Sequence, residues 1–399
     1  MVNWILGDLF FKDFGHQGSV KKLWEERWKF PCTLGVYPFH DGQIDDFAPI
    51  FEHLIAKNIN DPYDDAWCSA FTPTAERLAT AAEAAETTGD IPKAIELAKR
   101  SSTVYRIARF PYIGTPIKQR AYDAQKAIYM RGAALWDPPL KDLSIAHTHA
   151  ENGDGTEIPL YTRVPKDASA QNKAPVVLLI TGLDGHRPDN FERVDQQLQR
   201  GWASVIVDIP GVADCPANRQ DPASGDRLFA AVLDWIATQP ELDASKVLAW
   251  GLSAGGYYAI RLAHVQADKL VGAIGHGAGT HHYIGREWLK EVDHHEYPFD
   301  LQRAYLGKYG YGSWEELLEK CQKEYSLVEL GIVQKKSCRL LLVNGVMDGC
   351  MPIEDSMLLM EYGTPKEGRF IQQRAHMGYP EAMPITFEWM EQVLGTKKQ

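Results

Sequence analysis

The chain is organised around the run Val247-Leu248-Ala249-Trp250-Gly251-Leu252-Ser253-Ala254-Gly255. Four apolar residues open this run, and residues 256–264 after it have the composition of a helix. A strand, a sharp turn and a helix are the setting in which a serine is held in a strained conformation, with glycines that let neighbouring segments approach. The run therefore predicts a nucleophile, Ser253, above the edge of a sheet. A structural serine in a glycine-rich turn is the alternative.

Apolar runs on both sides of Ser253 alternate with segments of helical spacing. Continuous apolar strands that alternate with helices are typical of a parallel sheet covered on both faces. The turn residues 152–155 lie between two earlier runs and predict an antiparallel hairpin. We therefore predict an α/β fold with a doubly wound, mostly parallel sheet. The predicted strands are residues 145–150, 158–164, 175–180, 202–208, 247–250, 271–277 and 339–344.

Segments outside the predicted sheet indicate the domain organisation. We predict an N-terminal, mostly helical cap domain over 1–139 and a catalytic domain over 140–399. The first part of the cap is rich in aromatic residues, and the later part has apolar residues at helical spacing. One helix there is expected to have Pro73 in its first turn. Its aromatic residues are interpreted either as a core or as a lining for a flat apolar substrate. An insertion at about 278–336 is expected at the C-terminal edge of the sheet, where ligands bind.

Two further residues are the predicted partners of Ser253. A serine hydroxyl needs a base, and the base needs a carboxylate that orients it. Asp348 follows directly after the run 339–344, and His376 precedes the last predicted helix. No other histidine follows Asp348, and the chain order serine, aspartate, histidine is the one expected after such a turn. The sequence therefore predicts a Ser253–His376–Asp348 catalytic triad.

Backbone N–H groups are expected to bind the oxyanion that forms when Ser253 attacks a carbonyl. One predicted donor is Ala254, the residue after the nucleophile. The second is predicted in the loop 182–185, at Leu183 in preference to Asp184.

Three residues are predicted to contact the substrate. They are Asp184 in the same loop, Tyr258 just after the nucleophile, and His276 at the end of a predicted strand. A structural or surface role is the alternative for each.

Composition and charge exclude several function classes. A net charge of −11 and a pI of about 5.6 argue against nucleic acid or an anionic membrane as partner. No apolar run is long enough for a transmembrane helix, and the six scattered cysteines suit free thiols. The histidine pairs at 281–282 and 294–295 match no metal-ligand spacing, so neither metal nor cofactor is expected. Without a signal-peptide pattern we expect a cytoplasmic location, with vesicle association and a homodimer left open.

Five motifs carry a family resemblance: Asn3-Trp4-Ile5-Leu6-Gly7-Asp8, Tyr37-Pro38-Phe39-His40-Asp41-Gly42, Thr181-Gly182-Leu183-Asp184-Gly185, residues 251–261, and His376-Met377-Gly378-Tyr379-Pro380. They resemble the fungal yellowish-green polyketide-shortening hydrolases of dihydroxynaphthalene-melanin biosynthesis, over nearly the whole chain. The resemblance implies the α/β-hydrolase fold and hydrolysis of a carbon–carbon bond in an aromatic polyketide. The implied substrate is a heptaketide naphthopyrone or an acetylated tetrahydroxynaphthalene, and the implied product is 1,3,6,8-tetrahydroxynaphthalene.

A looser similarity runs to bacterial 2,6-dihydropseudooxynicotine hydrolase, which cleaves a carbon–carbon bond and has a helical N-terminal domain. A carboxylesterase or a lactonase would use the same triad and is the alternative function. A peptidase of the prolyl-oligopeptidase type is disfavoured, because the chain has no N-terminal segment of propeller length.

Overall fold

An eight-stranded sheet forms the centre of the protein. The computed structural model describes residues 2–12, 16 and 18–395, so the predicted domain limits at 1 and 399 lie outside the described residues. The strands are β1 (Lys141–Ala146), β2 (Glu157–Arg163), β3 (Ala174–Ile180), β4 (Ala203–Val207), β5 (Leu242–Leu252), β6 (Gly272–His276), β7 (Leu340–Gly345) and β8 (Glu367–Ile371). Their order across the sheet is β1-β2-β4-β3-β5-β6-β7-β8.

The pairing of these strands confirms the predicted α/β fold with a mostly parallel sheet. β1 and β2 form the antiparallel hairpin, β2 is antiparallel to β4, and every later pair is parallel. The middle strands are buried on both faces, as their continuous apolar sequences require. β8 was not predicted, because this edge strand is partly exposed along its length and reads Glu-Gly-Arg-Phe-Ile.

Helices form the N-terminal region and cover both faces of the sheet. They are α1 (Val20–Lys22), α2 (Lys29–Leu34), α3 (Ile44–Ala56), α4 (Asp65–Thr87), α5 (Ile91–Arg109), α6 (Pro116–Ala134), α7 (Phe191–Gln199), α8 (Ser224–Thr238), α9 (Ala254–Val265), α10 (Arg286–Glu291), α11 (Gln302–Tyr309), α12 (Trp314–Tyr325), α13 (Ile353–Leu359) and α14 (Ala382–Leu394). A π-helical turn, Leu23–Trp28, joins α1 to α2. None of the helices in the described ranges combines the length and the apolar character that a membrane span requires.

The helix expected to begin at Pro73 begins eight residues earlier. α4 starts at Asp65, and Pro73 lies in its interior. A proline there removes the hydrogen bond to the carbonyl of Ser69, which is why the sequence favoured a helix start. Trp67 and Phe71 lie in the first two turns and are fully buried, so packing of this face holds the helix together across Pro73.

Most aromatic residues of the N-terminal region form its core. Trp24 stacks on Phe51 with ring centroids 4.2 Å apart, and Phe51 also meets Phe39 and Trp67 edge to face. The core interpretation therefore applies to these residues. Tyr37 differs, because 40% of its surface is exposed.

The segment between β6 and β7 packs directly against the N-terminal helices. Phe299 in this segment contacts Trp28, Trp67 and Phe110, with ring centroids 5.4, 5.6 and 5.7 Å away. The Tyr63 hydroxyl donates to the carbonyl of Asp300 at 2.7 Å. The N-terminal helices and the β6–β7 segment thus pack together as one continuous layer. The domain division at residue 139 stays a prediction.

Candidate active site

Ser253 lies at the turn between β5 and α9 in a conformation that few residues adopt. Its φ is +53° and its ψ is −122°, and the turn is sterically crowded. A Cβ atom on Gly251 would lie 2.2 Å from the carbonyl oxygen of Gly255. A Cβ atom on Gly255 would lie 2.1 Å from the carbonyl oxygen of Thr181. Both glycines are therefore required. The backbone of Ser253 is strained, and its hydroxyl projects from the end of β5.

The three residues of the predicted triad lie in one hydrogen-bonded line. The Nε2 atom of His376 is 2.8 Å from Ser253 Oγ, and its Nδ1 atom is 2.7 Å from Asp348 Oδ2. A carboxylate on Nδ1 favours the tautomer in which Nδ1 carries the proton and Nε2 can accept one. This arrangement has the geometry that removes a proton from a serine hydroxyl.

Asn344, which sequence reasoning missed, fixes the Asp348 carboxylate and the His376 loop together. Its Nδ2 atom donates to Asp348 Oδ2 at 2.7 Å, and its Oδ1 atom accepts the N–H of Met377 at 3.2 Å. Asp348 Oδ1 accepts the N–H groups of Cys350 and Met351 at 2.7 and 2.8 Å. Each carboxylate oxygen is therefore held by two donors, which sets the orientation of the carboxylate before substrate binds.

The charges around His376 raise its pKa. Burial alone would lower the pKa, but the neighbouring Asp348 carboxylate, with smaller contributions from Glu296 and Asp184, places it above the ordinary value of 6.5. An imidazole with a raised pKa is a stronger base and stabilises the imidazolium that forms during attack. The site therefore favours proton transfer from Ser253 to His376.

Glu296, in the segment between β6 and β7, is a second carboxylate at this site. Its Oε1 atom accepts the N–H of His376 at 2.9 Å, and its Oε2 atom accepts the N–H of Gly349 at 2.9 Å. Burial and the nearby Asp348 carboxylate raise the pKa of Glu296 to about 7. No sequence signal distinguished it from the other acidic residues of this segment.

The two predicted oxyanion donors come from two segments that meet at Ser253. Ala254 begins α9, and the loop of Leu183 touches the serine, since a Cβ on Gly182 would lie 3.4 Å from Ser253 Cβ. Within the described part of the chain, neither the N–H of Leu183 nor that of Ala254 donates to a protein acceptor. Both donors therefore remain for an oxyanion, and their role stays a prediction.

Asp184 connects this loop to both covering segments. Its Oδ2 atom accepts the hydroxyls of Tyr37 and Tyr297, at 3.0 and 2.8 Å. Its backbone carbonyl accepts Nη1 of Arg109 at 2.8 Å. Tyr37 precedes α3 and Tyr297 follows α10, so one carboxylate joins the N-terminal region, the β6–β7 segment and the loop beside Ser253.

His276 and Tyr258 occupy buried positions that fit their structural alternative. Nε2 of His276 lies 2.7 Å from the carbonyl of Met377, and Nδ1 accepts the indole N–H of Trp250 at 3.4 Å. Burial lowers the pKa of His276 to about 3, so the ring is neutral and both nitrogens are used. The Tyr258 hydroxyl accepts a hydrogen bond from Nζ of Lys308 at 3.3 Å. Protein atoms thus occupy both nitrogens of His276 and contact the Tyr258 hydroxyl, while contact of either residue with substrate stays a prediction.

Ligand atoms of Asp348, Cys350 and His376 lie within 4.8 Å of one another, which is close enough to raise the question of a metal. The chemistry of the group does not suit one. Both oxygens of Asp348 already accept two hydrogen bonds each. Burial raises the pKa of the Cys350 thiol well above its usual range, so it is not the thiolate that binds metals. These residues fit a hydrolytic triad better than a metal centre.

Curated relatives with sequence similarity are bacterial hydrolases. Esterase FrsA of Photobacterium profundum is 22% identical over 335 residues, which cover 82% of this chain and 76% of the esterase. The 2,6-dihydropseudooxynicotine hydrolase of Paenarthrobacter nicotinovorans is 23% identical over 202 residues, covering 51% of this chain and 52% of that enzyme.

Two solved structures share the fold. The crystal structure of 2,6-dihydroxy-pseudo-oxynicotine hydrolase matches with a TM-score of 0.68 and 18% identity over 82% of this chain and 88% of that one. Wild-type AbyA5 matches with a TM-score of 0.63 and 19% identity over 88% of this chain and 95% of that one. Both confirm the α/β-hydrolase fold. The family model for the Esterase FrsA-like proteins matches residues 67–395, and the chain therefore belongs to this family of α/β-hydrolases.

Proposed function

We propose that the protein is a serine hydrolase in which Ser253 is the nucleophile, His376 the general base and Asp348 the orienting carboxylate. The observation that carries this proposal is the hydrogen-bonded line from Ser253 Oγ through His376 to Asp348, with distances of 2.8 and 2.7 Å. The Asp348 carboxylate in this line also raises the pKa of His376, which suits a general base.

The reaction proceeds in two halves. His376 Nε2 takes the proton of Ser253 as Oγ attacks a carbonyl carbon, and the N–H groups of Leu183 and Ala254 bind the oxyanion. The tetrahedral intermediate collapses to an acyl-serine, and protonated His376 gives its proton to the leaving group. Water activated by His376 then hydrolyses the acyl-serine and restores the hydroxyl.

The substrate we propose is an aromatic polyketide, either a heptaketide naphthopyrone or an acetylated tetrahydroxynaphthalene, that loses an acyl group by carbon–carbon cleavage. Support comes from the motifs shared with the fungal polyketide-shortening hydrolases. It also comes from Tyr37 and Tyr297, which place aromatic rings and hydroxyls around Asp184 beside the serine. The carbon leaving group is tolerable because a polyphenol ring delocalises its charge as an enolate.

We also propose a role for the covering layer as a cap. Residues 1–139 and the segment at about 278–336 contact each other through Phe299 and reach the site through Tyr37 and Tyr297. A cap that excludes water protects an acyl-enzyme and strengthens the electrostatic interactions inside.

A carboxylesterase or a lactonase is the second candidate, and the family to which the chain belongs favours it. The test offers the enzyme an acetylated tetrahydroxynaphthalene, a naphthopyrone and a p-nitrophenyl ester, with products followed by mass spectrometry. The proposed function predicts release of the acyl fragment and a deacylated naphthol, lost in Ser253→Ala. Turnover of the ester without any carbon–carbon cleavage would favour the second candidate.

A further inference from the structure

Arg106 of α5 is a buried cation without a hydrogen-bond partner. Its residue surface is 4% exposed, and its Nε atom is buried without an acceptor. Among the described residues its terminal nitrogens also donate to no protein acceptor. The guanidinium lies over the ring of Tyr37, 5.1 Å from the centroid. A buried guanidinium without hydrogen-bond acceptors is costly, so such a residue usually faces a ligand or ordered water.

Arg109, one turn later on the same helix, makes the hydrogen bonds that Arg106 lacks. Its Nε donates to Gln125 Oε1 at 2.6 Å, its Nη1 to the carbonyl of Asp184 at 2.8 Å, and its Nη2 to Asp189 Oδ2 at 2.5 Å. Arg109 is therefore a structural arginine with every branch occupied. Arg106 makes none of these structural hydrogen bonds.

The nearest acidic atom to Arg106 is Asp184 Oδ1, which is also open. The distance from Arg106 Nη2 is 3.9 Å, longer than a hydrogen bond. Asp184 Oδ2 takes both tyrosine hydroxyls, whereas Oδ1 accepts no hydrogen bond from the described residues. A donor and an acceptor thus lie 3.9 Å apart without a direct hydrogen bond. A hydroxyl group can bridge them, since it donates to the carboxylate and accepts from the guanidinium.

Asp184, one member of this pair, belongs to the loop that contacts the nucleophile. Asp184 is two residues from Gly182, where a Cβ atom would lie 4.0 Å from Ser253 Oγ. The charge of Asp184 also reaches His376, where it contributes to the raised pKa. A substrate whose carbonyl meets Ser253 can therefore place a second oxygen near Arg106.

We infer that Arg106 and Asp184 form a seat for an acidic oxygen of the substrate, a phenol or enol conjugated to the ketone that Ser253 attacks. The inference rests on the proposed carbon–carbon cleavage. In the seat, Asp184 Oδ1 accepts the hydroxyl proton and Arg106 donates to the oxygen. Arg106 then stabilises the negative charge that this oxygen gains as the leaving carbon departs.

The electrons balance without another reactant. His376 first delivers to the ring carbon the proton it took from Ser253, while the seated hydroxyl gives its proton to Asp184, so the ring becomes its keto tautomer and that carbon becomes tetrahedral. The tetrahedral oxyanion then re-forms its carbonyl as the ester of Ser253, and the bond between the acyl carbon and the ring carbon breaks heterolytically. The pair from that bond restores the aromatic ring and leaves the negative charge on the seated oxygen beside Arg106, which takes its proton back from Asp184.

The experiment compares Arg106→Gln and Arg106→Lys with wild type on two substrates, an acetylated tetrahydroxynaphthalene and p-nitrophenyl acetate. Nitrophenolate is a good leaving group that needs no such seat. The inference predicts that the ratio of carbon–carbon cleavage to ester hydrolysis falls by about 100-fold in Arg106→Gln. Lys99→Gln is the matched control. It removes the same charge from the same helix, but its ammonium pairs with Asp41 at 2.9 Å, so the ratio should stay within about 3-fold of wild type.

A methyl ether of the conjugated hydroxyl gives a second readout that does not depend on folding of a variant. Wild type should cleave the carbon–carbon bond of the ether about 100-fold more slowly than that of the phenol. Arg106→Gln should cleave the ether and the phenol at similar rates. The inference is overturned if both activities fall together in Arg106→Gln and Arg106→Lys, if neither falls, or if the ether is cleaved as fast as the phenol. Wild type that hydrolyses the ester but cleaves no carbon–carbon bond overturns the proposed function, and the inference with it.

Discussion

The Oε1 atom of Glu296 accepts the backbone N–H of His376 at 2.9 Å, which joins the β6–β7 segment to the base of the triad. The same carboxylate accepts the N–H of Gly349 beside Asp348. One side chain of the β6–β7 segment thus holds both loops that carry the predicted partners of Ser253. Its charge also raises the pKa of the imidazole, so this segment contributes to the electrostatics of the site.

Replacing Glu296 by Gln should shift the acid limb of the pH profile of kcat/KM to lower pH. Catalysis needs neutral His376, whose pKa lies above 6.5 in part through the charge that Glu296 carries when it is ionised. The pKa of Glu296 is itself about 7, so this charge is only partly present where His376 titrates. Removing it lowers the pKa of His376, so the active form persists to slightly lower pH. Glu287→Gln, an exposed change in α10 of the same segment, should leave the limb in place. If the acid limb of the pH profile is unchanged in Glu296→Gln, the carboxylate of Glu296 does not act on His376.

Replacing Asp348 by Asn should lower kcat by about 10³- to 10⁴-fold, because the wrong tautomer of His376 is then held toward Ser253. Steady-state kinetics on p-nitrophenyl acetate would measure the loss. Labelling by a fluorophosphonate should slow in parallel, since both reactions need the activated hydroxyl. A loss below about 10-fold would contradict the assigned role of Asp348.

Asn344→Ala should lower kcat by about 10-fold with little change in KM, because Asn344 orients Asp348 without touching substrate. Leaving its partners unsatisfied in a buried site should also cost about 1–3 kcal/mol of unfolding free energy. Chemical denaturation and kinetics on the same preparation would separate the two effects. An increase in KM alone would argue that Asn344 lies in the binding site instead.

Gly255→Ala should destabilise the protein by more than about 3 kcal/mol, because the new Cβ would lie 2.1 Å from the carbonyl of Thr181 and 2.5 Å from that of Ile180. Gly114→Ala is the matched control. Its nearest neighbour would be the ring of Tyr112 at 3.4 Å, an ordinary contact, so its effect should be within about 1 kcal/mol. Thermal unfolding of both variants checks the difference, and equal stabilities would contradict the crowding at the turn.

The sheet and the Ser253 turn were predictable because they are local in sequence. Continuous apolar strands specify a buried parallel sheet, and glycines at 251 and 255 follow from contacts within one turn. Asp348 and His376 were predictable because chain order restricts them. The structure adds the distances that join them to Ser253.

Other residues were beyond sequence reasoning because their contacts join distant segments. Glu296 and Arg106 look like ordinary surface charges in sequence, and only tertiary packing half-buries Glu296 against the His376 loop and buries Arg106 near Asp184. His276 was expected near substrate because it ends a strand, yet packing turned both its nitrogens toward protein atoms. Pro73 suggested a helix start, and burial of Trp67 and Phe71 outweighed that local preference.

The most direct test of the central claim is mass spectrometry of the intact protein during turnover of an acetylated tetrahydroxynaphthalene, followed by peptide mapping. We expect a transient acetyl group on Ser253, with the deacylated naphthol released before acetate. Asp348→Asn should slow its formation, and Ser253→Ala should abolish it. Wild-type turnover by Ser253→Ala, or an acetyl group that forms on another residue, would contradict the account.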